Sequence, residues 1–228
     1  MPFPVYKLLV FDWDGTLLDS ITTIVRCTQQ TLEELGLPPA IEEDIRSAIG
    51  LGLRETVESF CPGCDQQTFD RIVETYRRLW FGGFAREPTL FEGVPEFLEG
   101  SLAEGRLLAV ATAKSRKGLA TDLERTGVAG LFQASRTVDE AASKPSPQML
   151  LEILDELGVR PEQALMVGDA VHDLEMARNA GVSSVAVASG TGGRQALLET
   201  GALTCLEQVS SLSSWLVEYS DPPIRSSA

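Results

Sequence analysis

Four short apolar runs recur along the chain, at residues 6–11, 107–111, 165–167 and 184–188, and each gives way to polar residues. They are rich in Val, Leu and Ala and do not alternate with polar side chains. Unbroken apolar strands suit a sheet covered on both faces, which is the parallel arrangement; a half-exposed sheet needs alternation. Helical periodicity fills intervals between them, at 116–126, 147–157 and 171–180, with Gly158 and Gly181 closing the last two. Pro147 after Ser146 suits a first helical position with the serine as cap. Strands alternating with helices predict an α/β fold, a doubly wound parallel sheet.

The rhythm breaks between residues 18 and 88, where no strand-like run occurs. Ile21, Ile24, Val25, Thr28, Leu32 and Leu35 instead share one helical face, and Pro38-Pro39, Gly50 and Pro62-Gly63 punctuate the later segments. A small α-helical cap inserted after the first strand accounts for this. The expected division is a core of residues 1–17 and 89–219, a cap of 18–88 and a flexible tail of 220–228. A chain of 228 residues is long enough for one full core with such a smaller unit.

The 33 acids against 19 bases give a net charge of -14. That balance argues against nucleic acid as a partner, because such affinity comes largely from Lys and Arg neutralising phosphates. A small anionic substrate must be drawn in locally, against the field of the whole protein. No run reaches about 18 apolar residues, so no membrane span is expected. The opening MPFPVYKLLVFDWD lacks a basic region before its apolar run, so no signal peptide is expected and the cytoplasm is the default. Cys61 and Cys64 form a CxxC, but His172 is the only histidine and the other two cysteines lie far off, too few ligands for a zinc site.

In a parallel sheet, polar groups after the carboxyl ends of strands converge on one rim, where open α/β sheets bind ligands. Here those groups are Asp12 and Asp14 after the first strand, Thr112 after the next, Lys144 in SKPSP, and Asp169 and Asp173 in GDAVHD. An Asp-Gly turn or a helix cap would explain the first pair alone, but not the partners at later strand ends. At an effective dielectric of about 20, two carboxylates about 4 Å apart repel by roughly 4 kcal/mol, so such a cluster needs a cation. Oxygen-only ligands suit magnesium.

The motifs DWDGT, AT at the end of the second strand, SKPSP and GDAVHD, in this order over most of the chain, resemble the haloacid dehalogenase superfamily. The helical insertion is similar to the cap of its subfamily IA members of the phosphoglycolate phosphatase and beta-phosphoglucomutase kinds. The resemblance implies a Rossmannoid core and a magnesium-dependent phosphatase acting on a small phosphorylated metabolite, phosphoglycolate phosphatase-like, as a monomer or homodimer. Asp12 would attack phosphorus and form an aspartyl-phosphate. Asp14 would protonate the leaving oxygen and then take a proton from water. Thr112 and Lys144 would hold the phosphoryl oxygens, and backbone N–H groups from Trp13 to Gly15 would form an anion-binding turn.

Magnesium would be held by Asp12, the main-chain carbonyl of Asp14 and Asp169, with Asp173 supporting them from behind. Arg54, opening a cap helix in IGLGLRET, and Lys114 would face the substrate beside Ala113. At Ala113 relatives more often carry Ser, Asn or Gly, so one side-chain hydrogen bond near the phosphate is missing. His172 is expected at the rim without a catalytic role. Segments 17–20 and 87–93 would be the hinges of a moving cap. Alternatives with the same residues are a pyrophosphatase or a beta-phosphoglucomutase-like mutase; from other classes come a 2-haloacid dehalogenase and a phospho-accepting signalling domain.

Overall fold

The computed structural model describes residues 6–85 and 87–220. Its first strand, β1 (Leu8–Phe11), has every side chain fully buried. Leu9 and Phe11 join one apolar cluster, while Leu8 and Val10 join another on the opposite face of the sheet. Both faces are covered, which is why the strand reads as an unbroken apolar run.

Helices α1 (Ile21–Glu34), α2 (Glu42–Ala48), α3 (Leu53–Phe60) and α4 (Gln66–Leu79) follow, and α4 runs into a π-helical turn at Trp80–Phe84. On α1, Ile21, Val25, Thr28 and Leu32 are buried as the periodicity predicts, joined by Cys27 and Thr31; Ile24 and Leu35 are half-buried. Asp65 caps α4, its carboxylate accepting from the Thr68 N–H at 2.7 Å. Cys27, Trp80 and Ala85 form a small core inside this helical insertion. The chain leaves and re-enters through segments paired as a short ribbon, with Leu18 bridged antiparallel to Leu90.

The sheet then grows outward from β1. After α5 (Val94–Ala103) come β2 (Leu107–Thr112), α6 (Arg116–Thr126), β3 (Ala134–Thr137) and α7 (Gln148–Leu157). After these, β4 (Ala164–Gly168), α8 (Val171–Asn179), β5 (Ser183–Val187), α9 (Arg194–Glu199), β6 (Cys205–Leu206) and α10 (Leu212–Ser220) complete the other side. All pairings within the sheet are parallel and the strand order is β3-β2-β1-β4-β5-β6. The order reverses at β1, so the carboxyl ends of β1 and β4 flank a topological switch point, the usual ligand crevice of such sheets.

The structure departs from the sequence reading in three places. Strands β3 and β6 carry no apolar run, so the periodicity does not predict them. Helix α7 starts at Gln148, not Pro147; Pro147 sits in the cap position, and the Ser146 hydroxyl only reaches the Gln148 N–H at 3.4 Å. Ser220 belongs to α10, and the rest of the expected tail, 221–228, lies outside the described residues. His172 follows the carboxyl end of β4 and is buried there against the helical insertion: a Cβ added at Gly50 would stand 2.2 Å from its Nε2. Burial lowers its pKa and so favours the neutral ring.

Candidate active site

Asp12 leaves β1 with its N–H bound to the Val167 carbonyl of β4 at 3.0 Å, which fixes its side chain at the switch point. Its Oδ1 accepts from the Lys144 ammonium at 2.6 Å, and the same Nζ lies 2.6 Å from Asp173 Oδ1. Asp173 is itself pinned by its second oxygen, which accepts from the Ala170 N–H at 3.0 Å at the start of α8. Burial pulls the Lys144 pKa down, but Asp12 and Asp173 more than offset this, and the ammonium is held above its usual range. Asp12 is raised well above an ordinary carboxylate, first by burial and then by Asp173 and Asp169, against the pull of Lys144.

Asp169 stands across the crevice at the end of β4. Its Oδ1 accepts from the Thr16 hydroxyl at 2.7 Å and its Oδ2 from the Thr191 N–H at 2.9 Å. Glycines make room for it, since a Cβ at Gly190 would come within 1.8 Å of Oδ2 and one at Gly15 within 2.8 Å. Burial and then the charge of Asp173 raise its pKa to about 6. Asp12, Asp169 and Asp173 each offer a carboxylate oxygen within 4.8 Å of the others, and all three are buried. One ammonium cannot balance three such acids, so the cluster fits a divalent cation, and its oxygen-only donors suit a hard one.

Asp14 lies apart from that cluster. Its carboxylate accepts from Lys114 Nζ at 2.8 and 3.0 Å and from the Ser20 hydroxyl at 2.7 Å. Lys114 is braced from behind by Asp122 at 3.1 Å, and Asp122 also accepts from the Trp13 indole at 3.1 Å. Lys114 further lies over the Trp80 ring, 4.9 Å from its centroid, so the helical insertion touches this network. Burial lowers the Lys114 pKa, but Asp14 and Asp122 raise it overall and keep it charged. Burial raises Asp122, with Lys114 opposing.

The remaining predicted residues divide. Thr112 ends β2, and its hydroxyl oxygen accepts from the Lys114 N–H at 3.1 Å, leaving its proton to donate. Ala113 and Lys114 line the cavity above the acids. Gly15 takes the left-handed conformation (φ +89°) that the turn needs, but its N–H is spent on the Leu18 carbonyl at 2.9 Å, so the anion-binding turn is narrower than predicted. The Trp13 side chain faces the core against Phe132, so only its backbone borders the crevice. Arg54 does not line the cavity: its guanidinium donates to Gln66 at 2.7 Å and lies over Phe69 at 4.3 Å, an exposed arrangement within the insertion. Cys61 and Cys64 are free thiols in a turn, and burial raises Cys61, the reverse of a reactive cysteine.

Sequence reasoning gave no part in the site to Thr16, Ser20, Asp122 and Thr191, which hold Asp169, Asp14 and Lys114 in place. Thr16 alone carried a signal, as the last residue of DWDGT.

A family model described as haloacid dehalogenase-like hydrolase matches residues 9–187, from the first strand through the fifth. This chain belongs to the haloacid dehalogenase-like hydrolases. It is 31% identical over 205 residues to the pyrophosphatase PpaX of Bacillus velezensis, covering 90% of this chain and 93% of that one. With a phosphoglycolate phosphatase of Agrobacterium fabrum it shares 30% identity over 196 residues, 82% of each chain. The crystal structure of a haloacid dehalogenase-like hydrolase from Bacteroides fragilis superimposes with a TM-score of 0.85 at 25% identity, over 91% of this chain and 99% of that one. The acid cluster and the Lys144 contact thus sit on a hydrolase framework that extends over nearly the whole chain.

Proposed function

We propose that this hydrolase is a magnesium-dependent phosphatase that cleaves a small phosphorylated metabolite through an aspartyl-phosphate on Asp12, in the manner of phosphoglycolate phosphatases. The observation that carries the reading is the separation of two acids: Asp12 is held by Lys144 at 2.6 Å, while Asp14 is held by Lys114 at 2.8 Å. Two carboxylates in different surroundings suit different roles.

Asp12 attacks phosphorus, the Asp12–phosphorus bond forms and the ester oxygen leaves with a proton from Asp14. Water then attacks the same phosphorus, the acyl-phosphate bond breaks and the water proton passes to Asp14. General acid–base assistance of this kind contributes about 10²- to 10⁴-fold. Lys144 and the Thr112 hydroxyl face the phosphoryl oxygens, and Ser20 and Lys114 keep the Asp14 carboxylate in place. When bound at Asp12, Asp169 and the Asp14 carbonyl, magnesium supplies positive charge to the phosphoryl oxygens, with Asp173 steadying Lys144 beside it.

The relatives' names agree on phosphoryl transfer and differ in what is cleaved from the phosphate. Attack on carbon, as in a dehalogenase, would leave the acid cluster without a use. Four free thiols suit the reducing cytoplasm, where we place the enzyme. The test is phosphate release from a panel of phosphate esters, with magnesium and with chelator. Turnover is expected with magnesium, to be lost in chelator and restored by added metal, and to fall roughly 10⁴-fold or more in Asp12→Asn. Undiminished hydrolysis in chelator, or by the variant, overturns the reading.

A further inference from the structure

The inserted helices roof a cavity of about 540 Å³ that opens onto Asp12 and Asp14, a volume ordinary for a small-molecule site. Its walls are apolar, with Ile24 from α1, Ile45 from α2, Val57 and Phe60 from α3, and Ile72 and Tyr76 from α4. Two of the four lining threonines are spent locally, while Thr28 and Thr112 add hydroxyls to the lining. The Thr31 hydroxyl donates to the Cys27 carbonyl at 2.7 Å, and that of Thr56 to the Gly52 carbonyl at 2.9 Å.

Charge in the cavity is unfavourable to a second anion. Asp14, Glu55 and Asp139 line it along with Lys114 and Arg77. The Lys114 ammonium is already shared by Asp14 at 2.8 Å and Asp122 at 3.1 Å. Arg77 lines the cavity as an exposed, water-solvated side chain. Arg54 is directed to Gln66 and Phe69. A glycolate carboxylate or a second phosphate carried into this space would lose its water and meet no uncommitted buried cation among the described residues, which is costly.

We infer that the leaving group is neutral and largely apolar, so that the substrate class is a phosphomonoester of a bulky apolar alcohol, neither phosphoglycolate nor pyrophosphate. This rests on the phosphatase reading above. The reaction is the same: water and the ester give the alcohol and inorganic phosphate, with the alcohol released into the apolar cavity.

The test compares kcat/KM, with magnesium present, for ethyl, butyl and hexyl phosphate, whose leaving alcohols are similarly basic, and for 2-phosphoglycolate and pyrophosphate. Each methylene entering an apolar pocket is worth about fourfold, so the rise from ethyl to hexyl should be roughly 10²-fold. Hexyl phosphate should exceed both anionic substrates by about tenfold or more. Phe60→Ala should compress the hexyl-to-ethyl ratio, an effect that general loss of fold would not produce.

A flat alkyl series, or a preference for 2-phosphoglycolate or pyrophosphate, overturns the inference while leaving the phosphatase reading intact. Failure to hydrolyse any of these esters overturns both.

Discussion

Asp169 sets at the scale of one residue how protons and a cation would compete for the acid cluster. Both of its oxygens are engaged, by Thr16 and by the Thr191 N–H, and glycines at positions 15 and 190 clear the space around it. Its carboxyl is held at about 6 in the fold, against about 3.9 in an unfolded chain. It therefore takes up a proton on folding between those values. The stability it contributes is fully present below about 3.9 and is lost as pH rises through about 6. A bound cation needs the ionised form, so metal affinity should weaken as pH falls below about 6, by up to about tenfold per pH unit. Asp12, also raised by burial, acts in the same direction. Titration calorimetry with magnesium at about pH 7.5 and about pH 5.5 should show weaker binding and more proton release at the lower value. Equal affinity at both would contradict this account of the cluster.

The motif acids were readable in the sequence because their spacing at strand ends is local. Asp122 was not. An acid in the middle of a helix is usually solvated, and its partner Trp13 lies 109 positions away, so only the folded chain reveals why it is buried.

At the scale of elements, a paired ribbon joins the sheet to the helical insertion where the sequence places the hinges. The Asp19 N–H donates to the Thr89 carbonyl at 2.9 Å and the Phe91 N–H to the Leu17 carbonyl at 3.0 Å. Ser20, just before α1, spends its hydroxyl on Asp14 instead of capping the helix. Motion of the insertion about this ribbon would therefore act on the seat of Asp14. A disulfide between Asp19→Cys and Thr89→Cys, two exposed positions across the ribbon, should cut turnover several-fold without lowering the melting temperature, and reduction should restore the rate. An unchanged rate in the oxidised form would remove the hinge from the mechanism.

Elements were legible in proportion to how fully they are buried. The central strands announced themselves as apolar runs because both their faces are covered. Strand β3, with sequence ASRT, lies at the sheet edge; Ser135 and Arg136 are half-exposed there and pair with Arg116 and Glu152. Its polar composition hides it, and β6 at the other edge has only two residues.

At the scale of the whole molecule, the strand order brings distant segments to one point. Asp12, Thr112, Lys144 and Asp169 come from the ends of β1 and β2, the loop before α7 and the end of β4. The chain carries a net charge of -14, so on the proposed function attraction of a phosphate ester would depend on Lys144 and the cation that the acids can hold. The helical insertion supplies an apolar roof and a link through Trp80 to Lys114. Turn, cluster and roof are separate devices, and the proposed function has all of them serve a covalent step at Asp12. The most direct measurement is to quench the enzyme with acid during turnover, reduce it with borohydride and map the peptides by mass spectrometry. An acyl phosphate on Asp12 would be reduced to homoserine at that position alone, and only when substrate and metal are both present. An unaltered Asp12 in enzyme that is turning over, or homoserine at another acid, would contradict the account.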